Sequence, residues 1–503
     1  MTSSNVRKPR IALIELPSVI LIDQNGKNWA FHSNNWPLVS KQALIPQLQA
    51  GGFDVELVNL KAGNEEEVYG QISWNNGTLF KLLKGNKIKD IDPEAYDAWG
   101  ITVNLTVERE AACMAVKHLA SKGKPVVVGG SDALAVPEPY FRAGATAIVQ
   151  DKSGAANWAI LDYVLGKTPR EDLTGVLLNT GKQYPLRRPP MNLQEWPVPS
   201  VDVIKKCLGT DFSVEGLRLK NSSLSPNSAI FPDIGCDRKC NFCQTPNYSL
   251  GYKKMSIERI YEWTRASKEA GAKSMSIWSD QFLARTLWPD GREEIMEIMR
   301  GLQLIGMPYT WGNGLELRKA TRGRGFKNSD MTPDEELIQL LWGWDGENGC
   351  AHAYIPAERP FVNCDDYSKL MPWQEHCELI RAIVHTGTPS ISYGVIIGLP
   401  DDDDKGLSIL EEAIMKLCSD LMEINPNLAI AITPFAIAPL PGTPLEVDIR
   451  QSGLLRFDDP TVLGSLWTST ANTKYMDYTQ ISDWIIRLNK IGNSKLGLTP
   501  NLT

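Results

Sequence analysis

Residues 233–246 read DIGCDRKCNFCQTP, and this stretch decides how the whole chain is read. Cys236, Cys240 and Cys243 follow one another with C-x3-C-x2-C spacing. Three thiolates on one short loop can hold three irons of a four-iron, four-sulfur (4Fe-4S) cluster. The fourth iron then has no protein ligand within the motif and stays open to a small molecule, so the site reads as catalytic rather than purely electron-carrying. The apolar run 228–231 just before it reads as a buried strand. Gly235 and Asn241 suit a tight loop. A zinc site is the rival reading of the same triplet, with His352, His376 or His385 as a fourth ligand.

Composition narrows the setting. The chain has 503 residues, enough for two or three domains, and is 43% hydrophobic, enough for real cores. Its 52 basic and 59 acidic residues are well mixed and leave a net charge of −7, so nucleic acid is not an expected partner. The densest basic stretch, 318–324, reads as a solvated loop. Nine cysteines, odd in number and scattered apart from the triplet, argue against a disulfide framework and for a reducing compartment. No secretion signal opens the chain, and the apolar run 428–440 is too short to span a bilayer and carries Pro434 and Pro439. The expectation is a soluble, cytoplasmic protein.

Residues 1–195 alternate β-branched strands with helices. Strands are expected over 11–14, 55–58, 99–103, 125–128 and 147–149, with a loop through Pro17 after the first. Helices are expected over 39–50, stopped by Gly51-Gly52, and over 107–122. This pattern predicts an α/β fold with a doubly wound parallel sheet, which takes ligands at the carboxyl ends of its strands. A turn-rich linker follows over 196–226, announced by Pro189-Pro190, Pro197 and Pro199. Residues 227–445 repeat strand–helix units, with strands at 228–231, 274–277, 309–311, 351–355, 392–397 and 428–432. Helices such as 257–270 and 373–384 separate them, and the pattern predicts a partial (β/α)6 barrel. Residues 446–503 read as a helical cap, with 481–488 as one helix.

The triplet closely resembles the motif of the radical S-adenosylmethionine (SAM) superfamily, C-x3-C-x-aromatic-C, with Phe242 as the aromatic residue. The resemblance implies that the open iron binds the amino and carboxylate groups of SAM and that Phe242 covers the adenine. One electron from the cluster would then cleave the sulfonium bond and give a 5′-deoxyadenosyl radical. The resemblance runs on in order along the barrel. The segment 276–282, SIWSDQF, looks like the second-strand segment that meets the methionyl amino group. Asp280 suits that task, because a carboxylate accepts charge-assisted hydrogen bonds from an ammonium, and Ser279 is its neighbour. Residues 351–358 resemble the fourth strand, whose polar end faces the ribose, and Glu358 holds that place. The usual Gly-x-Glu-Ser is here Pro356-Ala357-Glu358-Arg359, and an ion pair with Arg359 is the competing reading. Gly394-Val395-Ile396-Ile397-Gly398 fits the fifth-strand pattern, in which Gly394, Ile396 and Gly398 would flank the adenine with backbone. Asp401 to Asp404 invite a metal reading, but acidic residues also favour a helix start.

The segment 433–446, TPFAIAPLPGTPLE, resembles the Pro-Gly-Thr-Pro segment of one branch of this superfamily. That branch carries an amino-terminal Rossmann-like cobalamin-binding domain. Gly129-Gly130 after a valine strand, the loop 101–106 and the connection Trp196-Pro197-Val198-Pro199 match it, so the resemblance covers residues 8–450. It implies cobalamin held by Thr102, Asn104, Leu105, Thr106, Gly129 and Gly130, with loop 102–106 near the lower face of the cobalt. Some of the branch's features are missing. There is no Asp-x-His-x-x-Gly loop, and His32 and His118 read as structural. Residues 150–156 replace a stretch rich in glycine and glutamate, and Ser131-Asp132 stand where Pro-His is commoner. Cys113, Cys207, Cys350, Cys364, Cys377 and Cys418 read as packing residues. The implied activity is a cobalamin-dependent radical SAM enzyme that methylates an unactivated carbon. Ring closure, rearrangement, oxygen insertion and a non-catalytic metal-binding scaffold are the alternatives. The implied partners are a small-molecule natural-product or cofactor precursor and an electron donor such as flavodoxin or ferredoxin.

Overall fold

Alternate residues of the first strand, Arg10–Glu15, feed two different cores. Ile11 and Leu13 pack with Ile45, Leu48 and Ile160, whereas Ala12 and Ile14 pack with Trp99 and Val116. A strand buried on both faces needs helices on both sides, which is the doubly wound arrangement expected. The computed structural model describes residues 7–30, 36–75, 77–152, 157–167, 174–185, 192–210, 224–248, 251–326, 329–359, 371–465 and 467–493. The expectations placed on His32, Cys364, Pro189-Pro190 and 153–156 lie outside these residues.

Strand Arg10–Glu15 pairs in parallel with Asp54–Asn59 on one side and Ala98–Thr102 on the other. Val126–Gly129 and Ala147–Val149 continue the parallel sheet, and Val176–Leu178 and Gln183–Tyr184 add an antiparallel edge. Counted in chain order, the parallel strands run 2-1-3-4-5. The order reverses beside the first strand, and a crevice opens there at the carboxyl ends. Helix Val39–Ala50 covers one face and stops at Gly51, and Gly52 (φ +93°) turns the chain back. Helix Arg109–Ala120 covers the other with Ala111, Ala112, Ala115, Val116 and Leu119, a single stripe at helical spacing. His118 is structural, as expected, with its Nε2 2.7 Å from the Ile91 carbonyl.

A three-stranded antiparallel sheet was not expected. Ser18–Asp23, read as loop, pairs antiparallel with Gly77–Gly85, which pairs with Glu65–Trp74. The hairpin closes tightly, with Trp74 opposite Gly77 and Asn75 at φ +50°. The signal was the run Asn75-Asn76-Gly77, since these residues tolerate the positive φ that a short hairpin requires.

The second sheet has the six strands expected, in consecutive order and all parallel: Asn227–Ile230, Ser274–Ile277, Tyr309–Trp311, Cys350–Glu358, Ser390–Ile397 and Ala429–Ala436. Its ends do not pair, so it is an open, partial barrel. Outward residues such as Met275, Ile277, Trp311, Ile391 and Tyr393 join one core with the surrounding helices. The alternate, inward residues are polar and bond across the strands. Asn227 Nδ2 donates to Ser276 Oγ at 3.3 Å, and the Ser392 and Thr433 hydroxyls lie 2.7 Å apart.

The carboxyl-terminal region is only partly the helical cap expected. Helix Tyr478–Asn489 packs on the sixth strand, where Asn489 Nδ2 donates to the Ile432 carbonyl at 2.8 Å. The chain between Gln451 and Tyr478 is mostly irregular and straps the barrel to the first region. Lys81 Nζ donates to Asp459 and Glu110, each at 2.6 Å, and Trp74 Nε1 donates to the Ser469 carbonyl at 3.2 Å. Among the described residues no helix is long and apolar enough to cross a membrane.

Candidate active site where the two sheets meet

The cysteine loop leaves the first barrel strand and is bracketed at once. Asp233–Ile234 pairs antiparallel with Lys253–Lys254, and Gly235 (φ +87°) turns the chain toward Cys236. The Gly235 amide donates to Asp280 Oδ2 at 2.8 Å. In return the Asp233 carboxylate accepts the Ser279 hydroxyl, 2.7 Å from both oxygens, and the Gln281 amide at 3.3 Å. The loops after the first and second strands therefore hold each other. Cys236, Cys240 and Cys243 are partly exposed and not joined in disulfides, and the Cys243 amide donates to the Cys240 carbonyl at 3.1 Å.

A charge network with Glu316 and Lys319 at its buried centre backs this loop. Arg238 Nη2 donates to Glu316 Oε1 at 2.5 Å, and Lys319 Nζ donates to Asp237 Oδ1 at 2.6 Å. Gln281 Nε2 donates to Glu316 Oε2 at 2.7 Å and lies 3.9 Å from Cys236 Sγ. Lys319 is 1% exposed, which corrects the reading of 318–324 as a solvated loop. A lysine is buried only when carboxylates pair with it, and here Asp237 and Glu316 do so.

Three thiols on one loop, none of them in a disulfide, fit a cluster with separate irons. Burial pushes the Cys236 thiol up to about 12, so an incoming metal must displace that proton. Among the described residues no three His, Cys, Asp or Glu side chains are grouped to hold one metal ion. The histidines offered as a fourth zinc ligand are engaged or placed elsewhere. His352 Nδ1 is 2.9 Å from Ser390 Oγ at the amino end of the barrel, and His376 Nε2 is 2.9 Å from the Tyr393 hydroxyl. Burial pushes both rings down to about 4. His385 is exposed at the end of helix Trp373–His385.

The other expected SAM-side residues divide. Asp280 is partly exposed and lines a cleft. The Ser279 hydroxyl is spent on Asp233, so Ser279 supports the loop rather than facing a ligand. Glu358 ends the fourth strand at φ +55°, where the register to the fifth strand slips. The left-handed region costs a non-glycine residue about 1–2 kcal/mol, and such strain collects at functional sites. The ion pair expected between Glu358 and Arg359 is replaced, because Arg359 pairs with Asp402 and donates to the Ile396 carbonyl at 3.3 Å. Gly394 offers no open face, since a Cβ there would lie 2.0 Å from the Tyr354 hydroxyl. Gly398 (φ +80°) gives its amide to Asp402 Oδ2 at 2.8 Å. Ile396 and Phe242 pack on one small apolar cluster with Leu399, Ile437 and Leu445, which sets the aromatic beside the fifth strand. The acidic run is structural. Asp403 caps helix Asp404–Ile424, Asp401 pairs with Lys474 at 2.5 Å, and Asp404 accepts Trp484 Nε1 at 3.0 Å.

Between the sheets lies a cleft with a volume of about 170 Å³. Thr102, Asn104, Gly129 and Gly130 line it from the first sheet, and Asp233 and Asp280 from the barrel. Leu105 and Thr106 are not on its wall. Leu105 is exposed, and Thr106 is buried against Gly464, whose added Cβ would come 2.9 Å from the Thr106 carbonyl carbon. Gly130 needs its glycine, with φ +105° and the Val103 carbonyl oxygen 2.2 Å from any added Cβ. Gly129 does not, since an added Cβ would meet only Val149 at 3.6 Å. Trp196 also lines the cleft, and its buried indole N–H has no hydrogen-bond partner among the described residues. An apolar and glycine-rich wall with one orphaned donor suits a ligand with an apolar face and polar edges. Asp132, behind this wall, accepts Arg109 at 2.7 and 2.8 Å and the Tyr140 hydroxyl at 2.7 Å, and so fixes the turn after Gly130.

Sequence reasoning missed Asp233 and the Glu316–Lys319 pair. Asp233 is 1% exposed, and burial, reinforced by the Asp280 charge and opposed by Arg285, pushes its carboxyl up to about 7. Its position just before the motif was the one available signal.

No family model matches the sequence, and comparison with curated proteins finds no match. Solved structures do match the fold. One is the cobalamin-dependent SAM radical enzyme OxsB with aqua-cobalamin and SAM bound (TM-score 0.64, 16% identity, covering 94% of this chain). The chain spans 65% of the length of OxsB. Another is the radical SAM methyltransferase TsrM from Kitasatospora setae with cobalamin and a 4Fe-4S cluster bound (TM-score 0.58, 12% identity, covering 96% of this chain and 91% of that one). Strand order, the open barrel and the cleft between the sheets thus give this chain the fold of the cobalamin-dependent radical SAM enzymes.

Proposed function

We propose that this chain is a cobalamin-dependent radical SAM enzyme that transfers a methyl group to an unactivated carbon of a small natural-product or cofactor precursor. One observation carries the reading: a single cleft has Asp280 on one wall and Gly129-Gly130 on the other. Residues 1–195 form the cobalamin-binding unit, 196–226 the linker, 227–445 the barrel and 446–503 the cap. Cys236, Cys240 and Cys243 hold the cluster, and the Asp233–Asp280 clasp presets their loop. Asp280 accepts the methionyl ammonium, Glu358 meets the ribose, and Phe242 and Ile396 cover the adenine. Thr102, Asn104, Gly129 and Gly130 seat the corrin, with loop 102–106 toward its lower face. The bound cofactors supply one-electron cleavage of SAM and a transferable methyl group, and the protein orients them and excludes water.

A second reading keeps the radical chemistry without methyl transfer. It is favoured by the likeness to OxsB, a cobalamin-dependent SAM radical enzyme, at a TM-score of 0.64 against 0.58 for the methyltransferase TsrM. Anaerobic purification with iron and cobalamin supplied tests the first claim: about four irons per chain fit the cluster. Bound corrin without bound iron overturns it. Product mass separates the two readings, since methylation adds one methylene.

A further inference from the structure

On the cluster reading above, on which this proposal rests, Cys236 becomes a thiolate bound to iron. Two N–H donors face its sulfur. The Arg238 amide, inside the cysteine loop itself, lies 3.4 Å from Cys236 Sγ. The second donor comes from another strand end. Gln281 Nε2, in the loop after the second barrel strand, lies 3.9 Å from the same sulfur. Gln281 is 7% exposed, and its backbone amide donates to Asp233 at 3.3 Å.

Glu316 decides which way the Gln281 amide points. An ionised carboxylate can only accept, and Glu316 takes Gln281 Nε2 at 2.7 Å. Glu316 is itself fixed by Arg238 (2.5 and 3.2 Å) and by Lys319 (3.3 Å). An amide nitrogen carries two N–H groups. One is committed to Glu316, and the other is left for Cys236. A thiol is a weak acceptor, which suits a contact as long as 3.9 Å. A thiolate is charged, and charged acceptors draw shorter and stronger bonds.

The ease of reducing an iron–sulfur cluster depends on its type, the nearby net charge, its exposure to water and the hydrogen bonds to its sulfurs. The charges behind this loop balance, with Asp237 and Glu316 set against Arg238 and Lys319. That leaves the N–H donors to supply the directed field at Cys236. An added electron makes the sulfur ligands more negative. Each N–H···S bond is therefore stronger in the reduced state and raises the potential.

We propose that Gln281 is a positioning residue that acts through Cys236 and raises the reduction potential of the cluster. The step it favours is the gain of one electron from a one-electron reductant, with no atom or proton transferred. Asp280 and Gln281 then divide the work of one loop: Asp280 faces the cleft, and Gln281 faces the sulfur.

The test uses the full-length, anaerobically reconstituted protein. Its reduced cluster is followed by electron paramagnetic resonance during a titration with titanium(III) citrate and redox mediators. Gln281→Met nearly keeps the length of the side chain and removes the N–H. Its one-electron reduction equilibrium should shift about three- to tenfold toward the oxidised state, the range expected for one hydrogen bond. At about 59 mV per tenfold, the potential becomes about 30 to 60 mV more negative. Gln281→Lys supplies a longer donor and adds a positive charge, so its potential should lie at or above that of wild type. General damage to the loop moves the two variants alike, whereas loss of the donor separates them. A wild-type potential in Gln281→Met overturns the proposal, and so does the same shift in both variants. If Gln281→Met binds less iron than wild type, Gln281→Asn takes its place. Its amide stops one methylene short of Cys236, and the same negative shift is expected. A wild-type chain that binds no four-iron cluster removes the cluster reading and this role with it. With about four irons bound, an unshifted potential removes the role of Gln281 alone.

Discussion

Asp280 holds the amide of Gly235 at 2.8 Å, one residue before Cys236, while Asp233 holds the hydroxyl of Ser279, one residue before Asp280. Two loops proposed to meet the same bound molecules are locked in register by the protein's own hydrogen bonds. Asp280 thereby has two separable tasks, supporting the loop and carrying charge.

Those tasks predict a split between two substitutions. Asp280→Asn can still accept the Gly235 amide, so iron loading should stay near wild type. It lacks the charge proposed to meet the methionyl ammonium, and SAM affinity should weaken about tenfold, in line with the doubled strength of charge-assisted bonds. Asp280→Ala should lose iron as well as SAM. Iron analysis together with SAM binding by calorimetry reads both, and equal iron loss in the two variants would refute the split.

Asp233 predicts a pH dependence. Its carboxyl is raised by burial to about 7 in the folded chain, far above its value when unfolded. The folded state therefore holds a proton that the unfolded state has already released between about pH 4 and 7. The contribution of Asp233 is full below that window and is lost as pH rises through it, on the order of 4 kcal/mol at most. Asp233→Asn cannot ionise, so its Tm relative to wild type should climb from pH 4 to pH 7. A flat difference in Tm across that range would mean that Asp233 titrates as an ordinary carboxylate.

The contrast between what the sequence revealed and what it hid has a physical basis. All six barrel strands could be read because buried parallel strands are short aliphatic runs, and the cysteine triplet because its ligands are close along the chain. The strand Glu65–Trp74 is largely exposed and opens with three glutamates, so its pattern is weak. The pair Asp237–Lys319 spans 82 positions, and no local signal links its members. Gly394 misled for a related reason. Its missing side chain makes room for Tyr354, a residue of the neighbouring strand, and not for a ligand.

The two cleft glycines should behave oppositely. Gly130→Ala forces a Cβ to 2.2 Å from the Val103 carbonyl oxygen at φ +105°, and should cost about 2 kcal/mol or more in stability. Gly129→Ala meets only an ordinary contact inside the protein, so its Tm should stay within a few degrees of wild type. The added methyl group projects toward the cleft, and cobalamin affinity, followed by corrin absorbance, should drop about tenfold. Wild-type cobalamin binding by Gly129→Ala would place the corrin elsewhere.

Glu358 supplies the sharpest trade-off. At φ +55° it sits in a region that glycine enters freely and a side chain enters at a cost. Glu358→Gly should therefore hold or raise the Tm, with a gain of about 1 kcal/mol from relieved strain. The same change removes the carboxylate proposed to meet the ribose, so the Kd for SAM should rise about tenfold. Glu358→Gln keeps the backbone cost and part of the hydrogen bonding, and should fall between the two in affinity without gaining stability. Thermal unfolding and SAM calorimetry on the three proteins decide the matter. A lower Tm for Glu358→Gly with unchanged SAM affinity would show that the strained turn is held for packing alone, and the ribose assignment would then pass to another residue at the mouth of the barrel.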